Sequence, residues 1–134
     1  MKYLCLIYES EKMYETMPKE EQEAMFGEYF AFTDGIKQGG QYVAGEALHP
    51  VHTATTVRVR NGRVSTTDGP FAETKEQLGG FYLVEARDLN EAIQVAARLP
   101  AAPLGTVEVR PCRDLEVDGV PRKASRKSRH LCSS

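Results

Sequence analysis

Three observations place this chain of 134 residues in the α+β class. The predicted elements follow one another in the order β-α-β-β-β-β-α-β. Helical periodicity occurs in only two segments, near residues 18–39 and 88–99. A two-residue hairpin signal, Asn61–Gly62, divides the run of central strands. Without that hairpin the order becomes β-α-β-β-α-β, which is the ferredoxin-like pattern.

The first strand and the first helix are predicted from residues 2–9 and 18–39. The strand, "KYLCLIYE", alternates apolar residues on both of its faces. Pro18 suits the first helical turn, and Gly39–Gly40 suit the end of the helix. Four apolar residues at helical spacing predict the buried face, and two phenylalanines are expected to widen it: Met25, Tyr29, Phe32 and Ile36, with Phe26 and Phe30.

The remaining elements are five strands, a turn and a second helix. Strands are predicted at 41–49, 54–60, 63–67, 80–86 and 105–111, with a turn at Asp68-Gly69-Pro70. Gly79–Gly80 predict a bulge or a close approach between backbones. Asp88 caps a helix that ends before Pro100. Leu89, Ile93 and Ala96 are predicted to be its buried face.

The apolar residues of the strands predict a partner subunit. Two helices cover only one face of a four-stranded sheet. Adjacent apolar residues such as Phe81 and Tyr82, however, place apolar side chains on both faces. A second copy of the same sheet is the simplest cover, so we expect a face-to-face homodimer.

Composition narrows the class of protein. The net charge of −2 gives no indication of nucleic-acid binding, and no apolar run is long enough for a membrane. Cys5, Cys112 and Cys132 are odd in number and far apart, which favours free thiols and a cytoplasmic location. Residues 121–134 contain five basic residues and no acidic one. We therefore divide the chain into a domain at 1–117 and a basic flexible tail at 118–134.

The block "DGPFAETKEQLGGFYL" at residues 68–83 resembles the signature of the YCII-related, DGPF-domain family. The resemblance extends to "KYLCLIY", "ATTVRVRNGRVSTTDGPF" and "GTVEVRP", and so covers about residues 1–115. It implies a dimeric α+β barrel of two ferredoxin-like units. A few distant relatives degrade chlorinated aromatics, with a His-Asp pair proposed as their active site. Members of the family are often encoded beside sigma factors of the extracytoplasmic-function type.

The same block supplies the first candidate site residues, Asp68, Glu73 and Lys75. Asp68 is either a turn residue whose side chain accepts backbone hydrogen bonds or a general acid or base. Pro70 and Gly79–Gly80 favour an extended segment at 72–77. Glu73 and Lys75 then share one face of the segment. Lys75, between Glu73 and Glu76, either polarises an anionic substrate or belongs to a solvated salt-bridge cluster.

His49 is the second kind of candidate, because histidine titrates near neutral pH. It is either a partner for Asp68, as in the dyad of the distant relatives, or a surface residue. His49 and His52 lack further ligands at metal spacing, so no metal and no cofactor are expected. Four further residues are candidates for substrate binding at the same cleft: Glu46, Phe71, Phe81 and Tyr82.

Two hypotheses for function follow. The first is an enzyme that performs acid/base chemistry on a small molecule in a cleft at the dimer interface. The alternative is a non-catalytic binding or regulatory module associated with an extracytoplasmic-function sigma factor system.

Overall fold

A computed structural model describes residues 1–115 of the chain. The predicted tail at 118–134 and Cys132 lie outside the described residues. Six strands and three helices are β1 (Lys2–Glu9), α1 (Glu11–Thr16), α2 (Lys19–Gln38), β2 (Tyr42–Ala47), β3 (Thr55–Arg60), β4 (Arg63–Asp68), β5 (Gln77–Glu85), α3 (Leu89–Ala97) and β6 (Thr106–Pro111).

Four of the strands form one antiparallel sheet, in the order β2-β5-β1-β6. This order agrees with the β-α-β-β-α-β pattern once the hairpin is left out, so the α+β prediction is confirmed and the fold is compatible with a ferredoxin-like arrangement. β3 and β4 form a separate two-stranded sheet. Their turn, Asn61–Gly62, has φ values of 53° and 74°, as a two-residue hairpin turn requires.

The core lies between one face of the four-stranded sheet and the helices α2 and α3. Tyr3, Cys5 and Ile7 of β1 are buried on that face. Burial raises the pKa of the Cys5 thiol to about 11, and nearby Cys112 contributes to this rise, so Cys5 is the predicted core thiol. Ile36, Leu99, Val84 and Val95 join Cys5 as the largest side chains that are less than 2% exposed.

The opposite face of the sheet has no helix over it. The strand register places Leu4 opposite Leu83 and Leu6 opposite Phe81 on this face. Tyr8 continues the row and pairs with Leu78. These side chains are only partly buried, although they lie in the centre of the sheet. We call Leu4, Leu6, Tyr8, Phe81 and Leu83 the open face.

Both predictions for Gly79–Gly80, a bulge and a close approach between backbones, are confirmed. The register between β1 and β5 shifts at this point, because Ile7 pairs with Gly80 and Tyr8 pairs with Leu78. Gly79 is therefore the extra residue of a bulge. A Cβ on Gly80 would lie 2.8 Å from the carbonyl oxygen of Glu46, so the neighbouring strand leaves no room for a side chain.

The predicted buried faces of the two long helices are confirmed only in part. On α2, Phe32 and Ile36 are buried as expected, but Phe26 and Phe30 are 64% and 73% exposed. They lie beyond the edge of the buried stripe, where the sheet no longer covers the helix. On α3, Leu89 and Ile93 are half exposed. The face that packs on the sheet instead consists of Ala92, Val95, Ala96 and, after the helix, Leu99.

The short helix α1 was absent from the prediction, because six residues give too little periodicity to recognise. Tertiary contacts hold it in place. The backbone N–H of Glu11 donates to the side chain of Gln77 at 2.9 Å. The Glu11 carboxylate accepts from the backbone N–H of Val51 at 3.0 Å. None of the helices in the described part combines the length and hydropathy needed to cross a lipid bilayer.

Candidate functional site

Asp68 is the last residue of β4, where it pairs with Thr55 and is exposed. The turn that follows is held by other groups. The backbone N–H of Gly69 donates to Ala54 O at 2.7 Å, and the Thr56 hydroxyl donates to Gly69 O at 2.8 Å. Within residues 1–115 the Asp68 carboxylate accepts no hydrogen bond. The side-chain turn lock suggested by the sequence is therefore not formed there.

His49 and Phe71 are both exposed, His49 in the loop after β2 and Phe71 three residues after Asp68. Within the described chain, no hydrogen bond or ion pair joins His49 to Asp68. The side chain of Phe71 is 81% exposed. In the single chain these two residues therefore do not form a cleft with Asp68.

The other candidates for substrate binding lie on opposite faces of the sheet. Glu46 of β2 is opposite Phe81 of β5, on the side that carries the open face. Tyr82 points to the helices instead, where its ring packs edge-to-face on Phe32 with centroids 5.2 Å apart. Its hydroxyl is 2.7 Å from that of Thr33. The expectation that Phe81 and Tyr82 line one cleft does not fit this alternation.

Glu73 and Lys75 line a cavity of about 470 Å³ together with four other residues: Ser10, Lys12, Thr74 and Gln77. The segment 73–76 is a loop with bends at residues 75–76, whereas an extended segment was predicted at 72–77. β5 begins at Gln77, three residues before the predicted start. The Gln77 side chain fixes the loop by donating to Thr74 O at 2.6 Å. The DGPF block therefore forms one wall, and the start of α1 forms the other.

The charges of this loop do not form the predicted salt-bridge cluster. Among residues 1–115, the ion pairs involve neither Glu73, Lys75 nor Glu76. Lys12, on the opposite wall, has no carboxylate partner there either. The Glu76 carboxylate instead accepts a hydrogen bond from the Thr106 hydroxyl at 2.7 Å. The cavity thus presents two ammonium groups and one carboxylate, that of Glu73, which form no ion pairs among residues 1–115.

A buried carboxyl group, Glu9, lies beside this cavity and was not among the predicted site residues. Glu9 is 9% exposed and is the only charged side chain buried among the described residues. It precedes Ser10 in the chain and pairs with Gln77 across the sheet, and both neighbours line the cavity. The alternation of Tyr3, Cys5 and Ile7 places Glu9 on the covered face, which is the signal that could have found it.

The surroundings of Glu9 favour its neutral form. Burial raises the pKa of the Glu9 carboxyl, and the negative charge of Glu76 raises it further. A hydrogen bond donated by the Tyr14 hydroxyl acts in the opposite direction. Burial and the nearby Glu9 also raise the pKa values of Tyr14 and Tyr29. Glu9 and Tyr14 thus form a hydrogen-bonded carboxyl–phenol pair next to residues that line the cavity.

This arrangement is suited to the transfer of protons and the binding of anions. A carboxyl group with a raised pKa retains or accepts a proton closer to neutral pH than an exposed one does. No group of three or more His, Cys, Asp or Glu side chains within 1–115 is arranged to hold a metal ion.

Comparison with known proteins agrees with the signature in the sequence. The model of the YCII-related domain matches residues 1–116. An uncharacterized protein, R00369, of Rhizobium meliloti (strain 1021) is 38% identical over 113 residues, which are 83% of this chain and 91% of the relative. The family model spans the whole sheet, the helices and the cavity. The chain therefore belongs to the YCII-related family.

Proposed function

We propose that the protein binds a small anionic molecule in the cavity between α1 and the DGPF block and exchanges a proton with it. The observation that carries this proposal is the buried Glu9 carboxyl, with its raised pKa, next to a cavity that holds Lys12 and Lys75. The reaction class is acid/base chemistry at a small organic acid or carbonyl compound.

The cavity has the size and the polarity for such a ligand. Its volume of about 470 Å³ lies in the range of small-molecule sites. Lys12 and Lys75 supply positive charge, Glu73 supplies one negative charge, and Ser10, Thr74 and Gln77 supply neutral hydrogen-bonding groups. A carboxylate or phosphate bound between the two ammonium groups would leave the rest of the molecule directed towards the sheet end at Glu9.

The proton would pass through the Glu9–Tyr14 pair. In its ionised form a buried carboxyl with a raised pKa is a stronger base than an exposed one, and once it has taken a proton from the ligand it can return that proton. The Tyr14 hydroxyl orients the carboxyl by its hydrogen bond. Asp68 and His49 would take part only if a partner subunit brings them to the cavity, because the single chain leaves both exposed.

We further propose a homodimer that pairs through the open face. Leu4, Leu6 and Phe81 lie at the centre of this face, and a second sheet would remove their apolar surface from water. Tyr8 of the open face pairs with Thr106 at the end of the sheet, and the Thr106 hydroxyl donates a hydrogen bond to the Glu76 carboxylate. The cavity would then lie beside the seam between the two sheets, in a cleft of the dimer interface.

The test of ligand binding compares matched lysine variants in the full chain. Thermal shifts would be recorded with benzoate, pyruvate and inorganic phosphate as probes. We expect Lys12→Ala with Lys75→Ala to weaken binding about tenfold or more, because two charged contacts are lost. Lys19→Ala, on the exposed start of α2, is the control and should bind as the wild type does. Equal binding by both variants would contradict the site.

The test of chemistry uses Glu9→Gln and Tyr14→Phe. Both variants should keep binding the probe that the wild type binds. NMR would follow deuterium exchange at the methyl carbon of bound pyruvate, which is next to the carbonyl group. The rate of this exchange should fall about 100-fold for Glu9→Gln. Binding without any exchange by the wild type would exclude proton abstraction from this probe and favour the non-catalytic module. The dimer is tested separately by light scattering on Leu6→Glu, which should be a monomer.

A further inference from the structure

The β3–β4 hairpin has one apolar and one basic face, and neither is covered. Val57, Val59 and Val64 point to the same side, because Val59 pairs directly with Val64. They are 59%, 56% and 69% exposed. An isolated two-stranded hairpin is marginally stable in water, so an exposed apolar face of this kind calls for a cover.

The basic face of the hairpin also requires a partner. Arg60 and Arg63 lie directly opposite each other beside the tip, and Arg58 follows on the same side. Like charges in opposite positions of a hairpin destabilise it. Within residues 1–115, none of these three arginines forms an ion pair. An acidic partner would relieve the repulsion at the tip.

A surface of complementary character lies on α2. Phe26 and Phe30, one helical turn apart, are 64% and 73% exposed. Glu23 and Asp34 bracket them, three residues before and four residues after, and so lie on the same side of the helix. Neither acid forms an ion pair among the described residues.

The spacing of the two surfaces also agrees. Side chains at i and i+4 of a helix lie about 5–6 Å apart. Side chains at i and i+2 of a strand, such as Val57 and Val59, lie about 6.6 Å apart, which follows from the rise per residue. The phenylalanine pair can therefore pack across the valine row. Arg60 and Arg63 have side chains long enough to extend past the hairpin edge towards the flanking acids.

We propose that the hairpin of one copy of this chain packs on α2 of a second copy, with Val57, Val59 and Val64 against Phe26 and Phe30. A contact within one chain does not account for the surfaces, because all five side chains are at least 56% exposed in it. A two-fold dimer lets each copy donate its hairpin and receive that of the other. This contact is separate from the pairing of open faces proposed above.

The test is a charge exchange in the full chain, followed by sedimentation equilibrium. Arg60→Glu with Arg63→Glu should raise the dissociation constant of the dimer about tenfold or more, and Glu23→Arg with Asp34→Arg should do the same. The four substitutions together should restore an affinity near that of the wild type. Failure of this rescue would overturn the proposal.

The apolar contact is tested with a matched control. The double variant Phe26→Ala with Phe30→Ala should weaken the dimer about 100-fold. If the two surfaces are in contact, adding threonine at the three valine positions should cause little further loss of affinity: Val57→Thr, Val59→Thr and Val64→Thr. Leu89→Ala with Ile93→Ala, an equally spaced exposed pair on α3, should leave the affinity unchanged.

Each outcome separates this contact from the sheet pairing. A dimer that Leu6→Glu dissociates, but that the hairpin and α2 variants leave intact, would overturn the hairpin contact and keep the sheet contact. A dimer that survives Leu6→Glu and is lost in the α2 variants would support the hairpin contact alone. A wild-type chain that stays monomeric at 100 micromolar, on the order of a weak dimer's dissociation constant, would overturn both.

Discussion

The four-stranded sheet with its helices, which we call the body, and the β3–β4 hairpin differ in how much they bury. The body contains five large side chains that are less than 2% exposed. In the hairpin strands every residue except Thr56 is exposed. Burial within the chain therefore stabilises the body. The hairpin depends on its turn, on the hydrogen bonds between its strands and on a partner that covers it. The body therefore stabilises the fold, and the hairpin is the part available for association.

The largest expected effect comes from a close backbone contact in the body. A Cβ on Gly105 would overlap the carbonyl oxygen of Tyr8 and press on the Glu9 side chain. We expect Gly105→Ala to lower the free energy of unfolding by about 3 kcal/mol or more, because the backbone of β1 cannot move aside. Denaturation in urea measures this change in the free energy of unfolding.

Gly27→Ala is the control for this substitution. Gly27 lies inside α2, and a Cβ added there would meet no neighbouring atom within 4 Å. Alanine there should stabilise the protein by about 0.5–1 kcal/mol, because glycine is the poorer helix former. Equal destabilisation by both variants would show that the contact at Tyr8 does not matter.

A pair of truncations compares the two regions directly. Leu99 is 1% exposed in the body, and Val64 is 69% exposed in the hairpin. We expect Leu99→Ala to cost about 2–5 kcal/mol of unfolding free energy, since it leaves a cavity. Val64→Ala should cost less than about 0.5 kcal/mol in dilute protein. A cost for Val64→Ala that grows with protein concentration would indicate that a second copy covers the hairpin.

The smallest expected effect is the pH dependence that Glu9 introduces. Burial raises the pKa of the Glu9 carboxyl above its ordinary value of 4.5, so between these two values the folded chain binds more protons than the unfolded chain. The free energy of unfolding must then fall as the pH rises through this window. Glu9→Gln removes this group from the titration.

The measurement is the difference in melting temperature between the wild type and Glu9→Gln. It is taken from about pH 4 to about pH 8, a range that begins near the ordinary pKa of a carboxyl group. The pKa values of the neighbouring Tyr14 and Tyr29 are raised above that of free tyrosine, so neither phenol titrates in this range. The variant should gain stability relative to the wild type as the pH rises. A constant difference would refute the raised pKa.

The local patterns of the sequence predicted the fold well. Residues 2–9 form β1 with the predicted bounds, because an alternating apolar strand is recognisable in isolation. The hairpin turn was equally clear, since Asn61 and Gly62 tolerate positive φ. The exposure of Phe26 and Phe30 was not predictable, because periodicity shows which residues share a side of a helix but not where the sheet ends.

The candidate site was only partly accessible from the sequence. Glu73 and Lys75 do line a cavity, but its other wall comes from Ser10 and Lys12, about sixty residues earlier in the chain. Only the fold brings these segments together. Glu9 was missed because a single acid at the end of an apolar strand resembles the ordinary boundary of that strand, and its burial depends on packing by the helices.

Hydrogen exchange, read by NMR at two protein concentrations, tests most directly whether the body and the hairpin are stabilised differently. In dilute protein we expect the amides of Cys5, Ile7 and Val84 to exchange only through global unfolding. The amides of Arg58, Arg60, Arg63 and Ser65, which form the hydrogen-bonded pairs of the hairpin, should exchange orders of magnitude faster and become protected as the concentration rises. Hairpin amides that match the protection of β1 and β5 in dilute monomeric protein would contradict the account.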